Sequence, residues 1–143
     1  RAGVIVGLGT DSSASNNNVD MFEEMRLASL LQKGVTLDPT VLPAAEALAM
    51  ATRDGAEAVW MGDIAGRLEP GMKADFIAVD IDQPHFVPQT DVVSHLVYSA
   101  SGHDVTDVCV DGRWLMRDRE LLTLDEERIR FEAQRRFERL LGR

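Results

Sequence analysis

The sequence predicts an α/β chain on three observations. A short apolar run, Val4-Ile5-Val6-Gly7-Leu8, empties into a loop of small polar residues at 9–18. Four to eight apolar residues bounded by turn chemistry fit a strand buried on both faces, the habit of parallel sheets. A helix-period segment follows at about 21–33, and a compact strand at 76–79 and a hairpin at about 105–116 lie either side of another helical pattern at about 91–99.

Asp11 stands where the apolar run stops. It has two readings. Asp caps turns by bonding the backbone two residues on, and an acid at the carboxyl end of a strand lies where α/β sheets place their ligands. Downstream, Asp20 precedes Glu23 by three residues, the spacing of a reciprocal cap at a helix start, and Gly34 is the expected stop of the helix that follows. Its apolar residues Met25, Leu27, Ala28, Leu30 and Leu31 cover a broad arc and need packing on more than one side.

Asp38-Pro39 marks a turn in the 35–42 linker, and Pro43 suits the first turn of a second helix. Ala44, Ala47, Leu48 and Ala51 make a narrow stripe of mostly small residues that admits a neighbouring helix closely. A turn at Arg53-Asp54-Gly55 leads to a short helix with Ala56, Val59 and Trp60. Trp60 is expected as a core anchor, with a ligand platform as the other reading. Pro70-Gly71 fits a type II turn before the strand at 76–79. Glycines around it do not make a phosphate cradle, because no Gly-Lys-Ser/Thr pattern follows.

Three histidines, His85, His95 and His103, are ten and eight residues apart. These spacings match neither a His-x3-His helix pair nor a His-x-His strand motif, so they give no zinc site by spacing. Asp111-Gly112 between two apolar runs is the clearest hairpin, since Asp-Gly adopts the type I′ turn that suits strand twist. Cys109 sits in the first of those runs and reads as a small hydrophobe. Thr123 and Glu126 have capping-box spacing ahead of a last helix to about 141, whose stripe is Ile129, Ala133, Phe137, Leu140 and Leu141.

With 15 Lys and Arg against 24 Asp and Glu, the net charge is -9. That argues against a nucleic-acid or anionic-membrane surface, because phosphate contacts need clustered Lys and Arg. A single cysteine rules out an internal disulfide and suits a reducing compartment. With no apolar stretch near the roughly 18 residues of a membrane span, a cytoplasmic protein is expected.

Gly9-Thr10-Asp11-Ser12-Ser13-Ala14-Ser15-Asn16-Asn17, followed by Asp20-Met21-Phe22-Glu23-Glu24-Met25, resembles the end of the eighth barrel strand of the metal-dependent amidohydrolase superfamily. Leu68-Glu69-Pro70-Gly71-Met72-Lys73-Ala74-Asp75 and Leu96-Val97-Tyr98-Ser99-Ala100-Ser101-Gly102 resemble it again. The branch it is most similar to is the 5'-methylthioadenosine/S-adenosylhomocysteine deaminases with their related chlorohydrolases and aminohydrolases.

The resemblance implies the last βα unit of a (β/α)8 barrel, followed by the C-terminal share of a small β-sandwich domain with flanking helices. It divides the chain into a barrel segment at 1–61, sandwich strands at 62–82, a loop and helix packing back on the barrel at 83–104, and a sandwich hairpin with the C-terminal helix at 105–143. A whole barrel needs roughly 200 residues or more, so the chain would be the tail of a larger enzyme. Asp11 would be both metal ligand and proton-handling catalytic group, with Ser12 and Asn16 beside a small heterocyclic substrate.

The cofactor so implied is a divalent metal, zinc in the first instance, whose other ligands lie outside this chain. Bound zinc lowers the pKa of water from 15.7 to about 7. The implied reaction is deamination of 5'-methylthioadenosine, S-adenosylhomocysteine or a similar amino-substituted heterocycle. Triazine dechlorination and guanine deamination share the fold. A different class of role is a non-catalytic module that pairs with a partner chain. The chain by itself is expected to be inactive, and to pair with a second copy or with the missing N-terminal part, since a lone βα unit leaves strand edges open.

Overall fold

A computed structural model describes residues 3–142. Helix α1 (Met21–Thr36) is followed by α2 (Ala44–Ala51) and α3 (Arg53–Ala58). Then come strand β1 (Phe76–Val79), helix α4 (Val92–Tyr98), strands β2 (Val105–Val110), β3 (Arg113–Arg117) and β4 (Glu120–Leu121), and helix α5 (Glu126–Leu140). Single 3-10 turns occupy Pro84–Phe86 and Gly102–Asp104. The four strands form one antiparallel sheet in the order β1-β2-β3-β4.

The core lies among α1, α2 and α4. Phe22, Met25, Ala44, Ala47, Phe86, Val97 and Ala100 form its buried cluster, with Leu8, Leu48 and Val79 packed on the outside. Ala44 and Ala47 are the buried part of the small-residue stripe, and they let α1 and α4 approach α2 from two sides. Ser29 is fully buried and would be costly there unpaired. Its hydroxyl contacts Leu42 O and the Tyr98 hydroxyl, both at 2.7 Å. Lys33 Nζ donates to Ser29 Oγ at 2.7 Å, Leu42 O at 2.8 Å and Val41 O at 2.9 Å. One lysine therefore ties α1 to the chain ahead of α2. That anchorage explains why α1 runs through Gly34, which costs roughly 1 kcal/mol relative to Ala, and ends only at Leu37 in the left-handed region.

The hairpin forms as expected, with Asp111 at φ 51 and Gly112 at φ 74. The 73–75 segment holds it. Lys73 Nζ pairs with Asp111 Oδ2 at 2.9 Å, Asp75 Oδ1 accepts from the Asp111 amide at 2.6 Å, and Ala74 O accepts from Gly112. Glu69 O accepts from Met72 N across the Pro70-Gly71 turn, with Gly71 at φ 94 as a type II turn requires. Cys109 is buried opposite Phe76 and Trp114, whose rings meet edge-on at 5.5 Å. It packs as a small hydrophobe.

Several expectations are corrected. Residues 4–9 do not form a strand, and the described residues contain no parallel sheet. Val4, Ile5 and Val6 are 75%, 47% and 54% exposed, and the run makes one backbone bond outside itself, Leu8 N to Met50 O at 3.0 Å. A strand exists only with a ladder partner, and the four strands among the described residues are all spent on the antiparallel sheet. The reciprocal cap at α1 is likewise one-sided. Asp20 accepts from Phe22 N, while Glu23 bonds Asn18 instead of the cap amide. At α5 the cap is Asp125, whose carboxylate accepts from Arg128 N at 2.9 Å, and not Thr123.

Trp60 is not a core anchor: it is 96% exposed. Helix α3 begins at Arg53, so the expected turn is its first turn, and it ends at Ala58. Trp60 N bonds Glu57 O and Met61 N bonds Ala56 O, the paired bonds of a Schellman cap, which places Trp60 at φ 60 in the slot usually held by glycine. A side chain there costs about 1 kcal/mol. Trp60→Gly is therefore expected to raise stability by about that amount, read as a higher urea midpoint at unchanged slope.

Candidate functional site

The site is built on the unpaired run and the loop after it. Gly7 crosses α3 at Gly55 so closely that a Cβ on Gly7 would lie 2.8 Å from the Gly55 Cα. Two glycines therefore meet where side chains would hold the run away. Together with the bond from Leu8 N to Met50 O, this crossing fixes the direction in which the chain reaches Asp11.

Asp11 is exposed and has φ 59, a left-handed conformation that Asp tolerates better than most residues. Its carboxylate accepts from the Ser15 hydroxyl at 2.7 Å and from the Ser12 amide at 2.7 Å. The Ser15 hydroxyl first, and the Ser12 amide after it, hold the carboxyl below its ordinary range. Asp11 is thus an ionised, water-facing carboxylate with two of its lone-pair sites occupied and the rest open.

The loop behind it is braced. Ser12 O accepts from the amides of Ser15 and Asn16, at 3.0 and 2.9 Å. Asn16 Nδ2 donates to Thr10 O at 2.9 Å and to Glu24 Oε1 at 2.8 Å, and Asn16 Oδ1 accepts from Asn18 N at 3.1 Å. Asn16 therefore ties the loop to the first turn of α1. Asp20 accepts from Gly102 N at 2.9 Å as well as from Phe22 N, linking the start of α1 to the 3-10 turn after α4.

Of the expected site residues, the structure brings Asp11, Ser12 and Asn16 into one hydrogen-bonded loop. Ser12 takes part there through its backbone, and both amide hydrogens of Asn16 are committed to the brace. Ser15 and Glu24 join them, and neither stands out in the sequence as a site residue. The only signal for Ser15 is its place four residues after Asp11 in a polar loop.

The histidines are engaged separately. His85 Nε2 is 3.1 Å from Asp104 Oδ1, His95 Nε2 accepts from Thr90 N at 3.3 Å, and the His103 carbonyl accepts from Arg119. Burial pushes the Asp104 carboxyl up, but the Ser101 amide and His85 outweigh it and leave it below its ordinary value. Among the described residues no three His, Cys, Asp or Glu side chains converge as a metal site. The residues present do not fit a complete metal centre; Asp11 offers at most one ligand. Nor does Asp11 line the groove of about 720 Å³ where the unpaired run stands off from α1 and α2, lined by Val4, Val6, Leu31 and Met50 among others.

Comparison with known proteins adds what one carboxylate cannot. The Amidohydrolase family pattern matches residues 1–115. The chain is 55% identical over its whole length to a 5-methylthioadenosine/S-adenosylhomocysteine deaminase of Pelotomaculum thermopropionicum, covering 33% of that protein. It is similar to the zinc-bound crystal structure of an adenosine deaminase from Xanthomonas campestris, with TM-score 0.95 and 40% identity, covering 100% of this chain and 33% of that one. A zinc complex of atrazine chlorohydrolase from Arthrobacter aurescens is similar at TM-score 0.83 and 31% identity, over 93% of this chain and 30% of that one. The chain thus spans about one third of the length of the proteins it matches. A pattern matched over most of its residues, and a backbone shared from end to end with a zinc-bound deaminase, place this chain in the amidohydrolase family.

Proposed function

We propose that residues 1–143 are the C-terminal third of a metal-dependent hydrolase. It removes the amino group of 5'-methylthioadenosine, S-adenosylhomocysteine or a closely similar nucleoside. The observation that carries this reading is Asp11: an ionised carboxylate held by Ser15 and Ser12 at the end of an apolar run that has no strand partner. In the reading, residues 4–9 become a barrel strand when the other strands flank them, and Asp11 comes to the mouth of a parallel sheet.

Each residue then has a part. Asp11 presents the carboxylate, ionised across the neutral range, as one ligand toward a divalent metal, zinc by analogy with the solved relatives, and as a proton acceptor. Ser15 and Ser12 fix its orientation and keep it ionised. Asn16, bonded to Glu24, sets the height of the loop and with Ser12 lines the substrate's side of the mouth. The remaining ligands and the pocket belong to segments outside this chain, and so does the choice of substrate.

The experiment is a substrate panel on the full-length protein that carries this sequence: 5'-methylthioadenosine, S-adenosylhomocysteine, adenosine, guanine and a chlorotriazine, with ammonia or chloride release measured. The expected result is the highest kcat/KM on one of the two thioether nucleosides. A preference for guanine or the triazine would replace the substrate assignment while leaving the hydrolase; no turnover of any would remove both.

A further inference from the structure

Helix α5 is an amphipathic helix none of whose apolar residues is buried. Ile129, Ala133, Phe137 and Leu140 recur at helical spacing, and Ile129, Phe137 and Leu140 are 49%, 56% and 85% exposed. It lies beyond residues 1–115, the part matched by the family pattern, and within the length shared with the deaminase relatives. Its charges are divided along its length. Residues 125–132 carry four acids against two arginines, a net of −2, and residues 133–140 carry three arginines against one acid, a net of +2. A parallel copy would set like ends together, whereas an antiparallel copy sets each end against its opposite.

The apolar stripe has the same symmetry. Helix α5 runs from Glu126 to Leu140, so Ala133 is its midpoint, and Ile129 and Phe137 lie four residues to either side. A two-fold axis at Ala133 overlaps two helices along their full length, opposes Ile129 to Phe137 of the other copy, and has the smallest stripe residue where the backbones come closest. The same axis carries Leu140 and Leu141 of one copy to the first turn of the other. A groove of about 450 Å³ lies there, lined by Leu124, Ile129, Arg128 and Arg136 among others.

We infer that α5 is a homodimerisation helix, whose exposed apolar face is covered by α5 of a second copy of this protein in antiparallel, two-fold-symmetric pairing.

The test uses the full-length protein carrying this sequence and two charge variants, one with Glu126→Arg, Glu127→Arg and Glu132→Arg, the other with Arg135→Glu, Arg136→Glu and Arg139→Glu. Each variant alone sets like charges along the whole pair, and its dimer Kd by sedimentation velocity is expected to rise at least about 100-fold. Mixed, the two are complementary at both ends and are expected to return as a one-to-one heterodimer. Unchanged mass of either variant alone, or no association on mixing, overturns the inference, and assigns the face to the protein's own remaining chain or to another partner.

A second measurement does not depend on the charge changes. Ala133→Cys is expected to form an intersubunit disulfide under mild oxidation, while Phe131→Cys, on the opposite side of α5, is not. The native Cys109 is 3% exposed and does not compete. Equal cross-linking of the two cysteine variants, or of neither, overturns the pairing.

Discussion

Asp11→Asn in the full-length protein is expected to reduce kcat/KM by about 10²–10⁴-fold, the range associated with losing a positioned proton-transfer group, and more if a metal ligand is lost with it. The fold should not notice. Asp11 is exposed, and its two bonds are to neighbours one and four residues away. A circular-dichroism melt coinciding with that of the unaltered protein therefore separates lost chemistry from lost structure. The Ser15 hydroxyl gives a graded version of the same test. It is the main cause of the lowered Asp11 pKa, so Ser15→Ala returns the carboxyl toward its ordinary value. A depressed pKa keeps the group ionised down to lower pH, and activity that needs the ionised form is lost as pH falls through that pKa. Raising it must move the acid limb of the kcat/KM profile to higher pH, with little change on the plateau. An acid limb that stays in place in Ser15→Ala means that the limb belongs to some other group.

The parts of the fold that could be read from the sequence are those whose reasons are local. The 91–99 helical pattern forms as α4, Asp111-Gly112 turns the hairpin, and Pro70-Gly71 turns the chain before β1; each needs only its neighbours in sequence. What could not be read depends on distant partners. The run at 4–9 has the composition of a buried strand, yet strand formation is a property of a pair, and no strand among the described residues pairs with it. The size of Trp60 argues for burial, while the turn of backbone beneath it, closed by Met61 N on Ala56 O, argues for a left-handed residue; the backbone bonds win. Gly55 looked like a turn residue and instead sits in α3, where its missing side chain admits Gly7. For the site, periodicity and resemblance located Asp11, but the Ser15 bond that keeps it ionised and the Asn16–Glu24 brace that holds its loop required coordinates.

On the proposed reading, residues 1–143 expressed alone are expected to show no zinc-dependent deamination and no tight zinc binding, and co-expression with the rest of the proposed barrel is expected to restore both. The reasoning starts from ligand number. A catalytic zinc commonly takes three protein ligands and keeps a position open, whereas no three candidate side chains converge among the described residues. Surface burial leads to the same result. Val4, Ile5 and Val6 stand open beside the groove along α1 and α2, and the run that carries Asp11 is held by the Gly7 crossing, by Leu8 on the edge of the core and by one backbone bond. Strands added alongside would pair that run, bury its aliphatic side chains and bring further ligands toward Asp11 in one step. Zinc affinity and turnover should therefore return together on reconstitution, measured by competition with a chromogenic chelator and by ammonia release. Zinc-dependent turnover by the purified 143-residue chain would show that one chain holds a complete site and would overturn the placement of the remaining ligands elsewhere.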